Sequence, residues 1–312
     1  MPKNTISDTL KNHKIGEVIV LKGWVRTFRS NRFIALNDGS CQSSIQCVVD
    51  FNDFSDEKLR RITTGSSISV SGELVPSLGS GQSVELKVNE LEIIGDCPSE
   101  TYPIQPKRHS LEFLREKANL RMRTSTFSAV MRIRHVAAFA VHDFFNKNGF
   151  FYLNTPIITA SDAEGAGELF RVTTLPFDQT PRNDDGSVNY ELDFFAKPTN
   201  LTVSGQLEGE LGALALGKIY TFGPTFRAEN SNTTRHLSEF WMIEPEMAFH
   251  DLSDNMDLAQ DLCKFIIQNV LEKSKDDLNF LNMRLLNEEK NKPKEKRGEM
   301  ELIEKLKFVL DN

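Results

Sequence analysis

Charged and aromatic side chains share two neighbouring stretches in the second half of the sequence. These stretches, residues 218–229 and 238–249, are strand-like and flank the polar loop NSNTTRHL, which predicts a long-loop antiparallel hairpin. Strand alternation puts four of their charged and aromatic residues on one face, namely Arg227, Glu229, Phe240 and Glu244. A buried sheet face holds charges only where they meet a ligand or one another. This face is therefore either a site for a charged ligand or an internal ion-pair network.

The net charge of −7 is distributed unevenly along the chain. Residues 101–135 hold 8 basic and 2 acidic side chains, a net charge of +6. Such a strip fits a protein that grips nucleic acid at one place, and it equally fits a solvated arginine-rich helix face. Charge alone leaves both interpretations open.

The composition excludes several classes of protein. With 39% hydrophobic and 26% charged residues, the 312 residues can form real cores, in about two domains. The four cysteines include no C-x-x-C pair, which argues against a zinc ribbon and a disulfide scaffold. No apolar run approaches the ~20 residues of a membrane helix, and the polar N-terminus lacks a signal-peptide core. We therefore expect a soluble, cytoplasmic protein with no membrane partner.

The first hundred residues are typical of a small β-barrel. Five alternating or apolar stretches lie between residues 15 and 97, and one short helix is predicted between the third and the fourth. This order fits an OB barrel, which binds single-stranded nucleic acid, although other small barrels share the pattern.

A change of composition separates this region from the rest. Pro98, Pro103 and Pro106 predict a linker, and a long amphipathic helix follows that Gly149 stops. The extended stretch FFYLNTPIIT comes next, and its Pro156 is expected at a strand edge or end. Residues 205–217 and 251–285 are predicted to be helical, and 287–300 to be poorly ordered.

These stretches together resemble a family. FRAENSNTTRHLSEF resembles motif 2 of the class II aminoacyl-tRNA synthetases (F-R-x-E, loop, R-H-x-x-x-F), and the long helix with FFYLNTPIIT resembles motif 1. The subgroup with an N-terminal OB barrel comprises the aspartyl, asparaginyl and lysyl enzymes. The resemblance implies an α+β fold with an OB-fold anticodon-binding domain at 1–100, a hinge at 101–123, and the N-terminal part of an antiparallel class II catalytic domain at 124–312.

Within the subgroup, the asparaginyl member is favoured. ASDAEGAGELF, LTVSGQLEGE and EFWMIEPEMAF are similar to its versions of three substrate-facing segments. The aspartyl pattern has a lysine where this sequence has Gly209, and that lysine would pair with a substrate carboxylate. Glu244 accepts hydrogen bonds only, which suits an amide NH2 group. Two anions 4 Å apart at an effective dielectric of 20 repel by about 4 kcal/mol, or about a thousandfold, which could reject aspartate.

The resemblance implies ATP as a substrate, and Mg2+ bridging its phosphates. It implies that Arg227 contacts the α-phosphate, that Glu229 accepts from the adenine amino group, and that Phe240 stacks on the adenine. Arg235 and His236 would face the ATP phosphates and the end of the tRNA. No metal-ligating residue is assigned within this sequence. Catalysis would rest on positioning and charge neutralisation, without a protein nucleophile.

The same resemblance assigns the remaining substrates. Glu164 and Gln206 would lie near the amino group of asparagine, and Glu244 would read its side-chain amide. The partner is tRNA(Asn), and the residues implied to meet its anticodon are Arg29, Phe33 and Gln46. From the residues alone, Phe33 could instead be a core residue of a strand. Pro156 in motif 1 implies a homodimer.

One feature departs from the family. The sequence after Phe249 contains no glycine-rich strand and arginine that would match motif 3, which holds the γ-phosphate. We therefore expect a truncated form of a longer asparagine–tRNA ligase, and leave open whether the 312-residue chain is active. Two alternatives remain: an aspartyl enzyme of relaxed specificity, and a non-catalytic tRNA-binding fragment.

Overall fold

The computed structural model describes residues 4–12, 14–79, 81–163, 165, 168–231, 233, 235–298 and 300–312. By its contacts the chain divides into two compact units. One unit combines Met1–Ala137 with Ile267–Asn312, and the other is Ala138–Ile266. The domain boundaries expected at residues 100 and 123 remain predictions.

A closed five-stranded barrel dominates the first unit. Its strands are β1 (Val18–Arg29), β2 (Phe33–Asn37), β3 (Ile45–Val48), β4 (Ser67–Pro76) and β5 (Val84–Gly95). They join in the order β1-β2-β3-β5-β4. Helix α1 (Ile6–Asn12) precedes the barrel, and the short helix α2 (Asp56–Arg60) lies between β3 and β4. The Ser55 hydroxyl accepts from the backbone N–H of Lys58 and so caps the start of α2. Five strands with one helix in this place confirm the predicted OB fold.

Period-two alternation builds the barrel core. Ile34 and Leu36 of β2 point inward and are fully buried, whereas Phe33 and Ala35 point outward. Where β4 bulges against β5, a Cβ atom on Gly72 would lie 2.1 Å from the carbonyl oxygen of Lys87. Only glycine fits this close approach.

The proline-rich segment that was predicted as a linker is packed in the structure. Helix α3 (Leu111–Glu116) follows it, and Tyr102 and Ile104 of the segment form a small buried cluster with Leu114 of the helix. Proline content predicted an extended connection, but the apolar residues between and after the prolines bury themselves in the same unit. Helix α4 (Ser125–Lys147) follows, and Gly149 comes just after its end with a positive φ of 75°.

Helices form the end of the chain, as expected for 251–285. They are α6 (Leu252–Lys273), α7 (Lys275–Lys290) and α8 (Leu302–Asp311). The charged segment from 287 is more regular than its composition predicted, because α7 continues to Lys290 and a 3-10 turn covers Lys294–Lys296. None of the helices in the described part of the chain combines the length and apolarity needed to span a membrane.

The second unit contains two small sheets. The first has the order β11-β10-β6, with β6 (Phe151–Tyr152), β10 (Lys218–Phe226) and β11 (Glu239–Met247). The second has the order β7-β9-β8, with β7 (Ile158–Thr159), β8 (Arg171–Val172) and β9 (Thr199–Leu201). Helix α5 (Gln206–Leu216) precedes β10, as predicted. Phe145 of α4 stacks on Tyr220 of β10 at 4.3 Å between ring centroids, in the core of this unit.

Candidate functional site

Strands β10 and β11 form the predicted antiparallel hairpin and bring Arg227 to Phe240. Thr225 pairs with Phe240 in the register, and the backbone N–H of Arg227 donates to the carbonyl of Ser238 at 3.1 Å. The guanidinium carbon of Arg227 lies 5.5 Å from the centroid of the Phe240 ring. Both side chains are half-buried. The hairpin thus presents a cation and an aromatic face at one point.

The guanidinium of Arg227 has no protein counterion among the described residues. Its Nε atom is buried and has no hydrogen-bond partner among the residues that the structure describes. No salt bridge within the described part of the chain includes Arg227, so the internal ion-pair alternative does not hold for this residue. Burying a cation and a donor without partners costs free energy, which an anionic ligand would recover.

Strand β10 ends earlier than the sequence predicted. It stops at Phe226, and the chain turns so that Ser231 donates to the carbonyl of Glu229. Glu229 is exposed and lies outside the strand, so alternation does not carry it to the face of Arg227. Its role at the adenine stays a prediction.

Glu244 is held by three donors from three parts of the chain. Its carboxylate accepts from the Ser204 hydroxyl at 2.5 Å, from the Gly205 N–H at 3.1 Å, and from the Thr221 hydroxyl at 2.9 Å. Thr221 lies directly opposite Glu244 in the hairpin register. A carboxylate has about four acceptor positions, so three bonds leave about one for a ligand. Beside it is a cavity of about 20 Å3, enough for one water.

The start of α5 packs on the same part of the sheet. Gln206, its first residue, donates from its side chain to Glu210 at 3.0 Å and from its backbone to Ser204 at 3.1 Å. At Gly209 a Cβ atom would lie 3.2 Å from Cγ of Glu246. Burial, followed by the nearby Glu210 and Glu244 carboxylates, raises the pKa of Glu246. This corner is therefore rich in hydrogen-bond acceptors.

Within the described part of the chain, the loop residues expected at the phosphates make their side-chain and backbone contacts with Thr233 and not with Arg227. Arg235 and His236 are exposed, and the His236 ring is hydrogen-bonded to the Thr233 hydroxyl. Glu164 lies outside the described residues. The chain that follows its loop does reach the hairpin, because the Ala228 N–H donates to the carbonyl of Glu168 at 2.8 Å.

The structure gathers the three barrel residues on one outer surface. Arg29 of β1 pairs with Phe33 of β2, and Ala35 beside it pairs with Gln46 of β3. Phe33 is half-buried and points away from the core, so it is not a core residue of its strand. The Gln46 amide donates to Glu85 at 3.0 Å. A stacking ring, a cation and an amide therefore lie side by side.

Pro156 lies in the exposed connection between β6 and β7. Apolar residues of this region and of α4 are also exposed, to between 42% and 64%: Phe139, Phe151, Tyr152 and Ile157. The described residues contain no group of three or more His, Cys, Asp or Glu side chains that could hold a metal ion.

Sequence reasoning missed the residues that orient Glu244. Ser204 stands in a quoted motif but received no role, and Thr221 could have been found by working out the hairpin register. Asn200 was also missed; it is 6% exposed and its side-chain oxygen has no partner among the described residues. No local pattern marks it.

Comparisons with known proteins agree with this architecture. A family model described as tRNA synthetases class II (D, K and N) matches residues 110–308, and one described as OB-fold nucleic acid binding domain matches residues 19–94. The asparagine–tRNA ligase of Cytophaga hutchinsonii is 55% identical over 316 residues, which cover 100% of this chain and 65% of that protein. That of Phocaeicola vulgatus is 56% identical over 283 residues, covering 90% of this chain and 60% of that protein.

The fold of this chain is also similar to that of a solved structure. The crystal structure of asparaginyl-tRNA synthetase from Pyrococcus horikoshii complexed with asparaginyl-adenylate has a TM-score of 0.74 and 27% identity, and the match covers 90% of this chain and 61% of that one. The chain thus spans about 65% or less of the length of these relatives. The family model covers well over half of the 312 residues, and the chain therefore belongs to the class II tRNA synthetases of the D, K and N group.

Proposed function

We propose that this chain carries the activation site of an asparagine–tRNA ligase, which uses ATP to join asparagine to tRNA(Asn). The observation that carries the proposal is the Arg227 guanidinium beside the Phe240 ring, with a buried Nε atom that has no partner in the described part of the chain. A nucleotide supplies both missing partners, a phosphate for the cation and a base for the ring. The names of the relatives support asparagine as the amino acid.

The first step forms asparaginyl-adenylate. A carboxylate oxygen of asparagine bonds to the α-phosphorus of ATP, the bond from that phosphorus to the β-bridging oxygen breaks, and pyrophosphate leaves with the electron pair. Arg227 donates hydrogen bonds to the α-phosphate oxygens, where charge accumulates in the transition state. Phe240 stacks on the adenine, and Glu229 accepts from its amino group once the loop closes on ATP. The attacking group belongs to the substrate.

The pyrophosphate side involves the hairpin loop. Arg235 and His236 are exposed and would turn toward the β- and γ-phosphates, and later toward the end of the tRNA; His236 must then give up its bond to the Thr233 hydroxyl. Mg2+ bound to the phosphates would neutralise part of their charge.

Glu244 selects the amino acid. Its three internal bonds fix the carboxylate and leave about one acceptor position for the side-chain amide of asparagine. Aspartate would bring a second carboxylate to this point, and Gly209 provides no cation to neutralise it. Glu164 and Gln206 would bind the amino group; Gln206 must then exchange its bond to Glu210.

The barrel reads the anticodon of tRNA(Asn). Phe33 stacks on the middle base, while Arg29 and Gln46 contact its phosphate and its polar edge. Exposed apolar residues around Pro156 support a homodimer through this region, since a patch of this kind is typical of an interface. We place the protein in the cytoplasm, where tRNA is charged.

The test is amino-acid-dependent exchange of labelled pyrophosphate into ATP by the 312-residue chain. Asparagine should support exchange, and exchange with aspartate should be slower by up to about a thousandfold. This factor corresponds to about 4 kcal/mol of like-charge repulsion. Equal rates with both amino acids would contradict the assignment to asparagine. Absence of exchange together with retained tRNA binding would favour the second candidate, a tRNA-binding fragment, which the outer barrel surface supports.

A further inference from the structure

A second concave site is lined only by residues of the first unit and includes no residue of the hairpin. It is a cavity of about 1010 Å3 between β1, the segment from Tyr102 to His135, and α7. Its volume is at the upper end of the range for small-molecule sites. The function proposed above makes no use of it.

An excess of basic over acidic side chains distinguishes the described lining of this cavity. Six basic side chains line it, and none of its described lining residues carries a carboxylate: Arg26, Lys107, Arg108, Arg123, Arg132 and Arg284. Two acidic residues behind the lining neutralise some of them. Asp277 pairs with Arg132 at 2.7 Å, and Glu288 is shared by Arg108 and Arg284.

The other three cations have no ion pair within the described residues. Arg26 is bound only to neutral acceptors, the Arg123 carbonyl at 2.5 Å and the Asn37 side chain at 3.3 Å. Its burial, and then the nearby Arg132, lower the pKa of Arg26. Arg123 lies over the Tyr102 ring at 5.7 Å, and Lys107 is exposed at the rim. Arginines without carboxylates in a cavity are suited to bidentate contacts with phosphate.

The remaining wall is apolar and includes a flat aromatic surface. Trp24 of β1 is 49% exposed and lines the cavity, together with Met122 and Phe280. An exposed indole gives a base a stacking surface. A free nucleotide has both chemistries that this cavity offers. The double-stranded stems of tRNA, by contrast, are recognised mostly by their shape and by contacts across their wide, shallow minor groove.

We propose that this cavity is a second nucleotide site, which takes a free nucleoside diphosphate or triphosphate, stacks its base on Trp24, and pairs its phosphates with Arg26, Lys107 and Arg123. The cavity shares no residue with the hairpin, so a positive or negative test of this second site does not depend on the function proposed above.

Fluorescence of Trp24 provides a local readout. The chain has two tryptophans, and Trp241→Phe leaves Trp24 as the only one. GDP is the probe, because ATP is the nucleotide assigned to the hairpin. Guanosine and inorganic pyrophosphate are tested beside it as the separate base and phosphate halves of the nucleotide. We expect saturable quenching by GDP, with both halves binding at least about 10-fold more weakly than GDP.

Variants locate the site. The substitutions Lys107→Ala and Arg123→Ala, both at exposed residues, should each weaken GDP binding by about 10- to 100-fold. This is the scale of a lost hydrogen bond to a charged group. Arg26→Gln should do the same, but the first two keep the test valid if this buried change unfolds the chain. Arg115→Ala removes an exposed arginine outside the cavity and should leave GDP binding unchanged. Arg227→Ala, which should weaken ATP binding at the hairpin, should also leave GDP binding to the cavity unchanged.

Four results would overturn the proposal. They are the absence of saturable quenching up to millimolar GDP, loss of GDP binding in Arg227→Ala, pyrophosphate binding as tight as GDP binding, and variants that weaken tRNA binding while GDP binding is unchanged. The last result would assign the basic cavity to tRNA.

Discussion

The barrel and the hairpin build their candidate sites in opposite ways. In the barrel, Ile34 faces the core and its neighbour Phe33 faces outward, so one strand provides both the fold and the ligand surface. In the hairpin, Arg227 lies just beyond the end of β10, and Glu244 depends on Ser204, which is 40 residues away. Recognition in the barrel is thus added to a closed sheet, whereas in the hairpin it depends on tertiary contacts between separate elements.

This difference predicts that single changes in the hairpin alter specificity most strongly. Glu244→Gln removes the negative charge and gives Ser204, Gly205 and Thr221 an amide in place of two acceptor oxygens. We expect the preference for asparagine over aspartate to fall by up to about a thousandfold, about 4 kcal/mol. Pyrophosphate exchange with each amino acid measures this ratio. An unchanged ratio in a folded variant would remove Glu244 from the selection of the amino acid.

In the barrel, substitutions at the neighbouring residues Ile34 and Phe33 should affect stability and RNA binding separately. Ile34→Ala should lower the free energy of unfolding by about 2–5 kcal/mol, because it opens a cavity in the core. Phe33→Ala should instead weaken binding of the cognate anticodon stem-loop by about 1–3 kcal/mol, the stacking scale. Thermal melts and stem-loop titrations of both variants test the pair. If Phe33→Ala binds the stem-loop normally, the outer surface does not stack on the anticodon.

The orientation of Glu244 can be tested with a nearly isosteric pair of changes. Thr221→Val removes one donor to the carboxylate and should weaken asparagine binding by about 1 kcal/mol. Thr225→Val is the matched control on the same strand, because its hydroxyl bonds only the Phe240 carbonyl at 3.3 Å. Calorimetric titration with asparagine should distinguish the two variants. Equal effects would mean that Thr221 does not orient Glu244.

The smallest expected effect concerns Glu246 and pH. Its pKa is raised above 4.5 in the folded chain, so its carboxyl favours folding most below pH 4.5, and this contribution is lost as the pH rises through the folded pKa. Glu246→Gln should therefore stabilise the chain at neutral pH by less than about 1 kcal/mol, since solvent screens this partly exposed group. The gain should disappear in acid. Thermal melts across this pH range measure the effect. If Glu246→Gln stabilised the chain only in acid, the pKa of Glu246 would be shifted in the opposite direction.

Local patterns account for what was predictable from the sequence. Alternation predicted the barrel strands and the hairpin, and Gly149 marked the end of the long helix. The resemblance to the family placed Arg227 and Phe240 in one site, and the structure puts them in contact. The contacts of Glu244 with Ser204 could not be predicted, because they depend on how distant segments meet. Alternation also failed for Glu229, since a strand's pattern says little about where its hydrogen bonding stops.

The central claim is that Arg227 and Phe240 hold a nucleotide, and calorimetric titration of ATP tests it most directly. The matched variants are Arg227→Ala and Arg182→Ala, the latter an exposed arginine of the same unit whose side chain donates to the Gly186 carbonyl and makes no salt bridge within the described residues. We expect Arg227→Ala to bind ATP about 10- to 100-fold more weakly and Arg182→Ala to bind it normally. Undiminished ATP affinity in a folded Arg227→Ala chain would contradict the account.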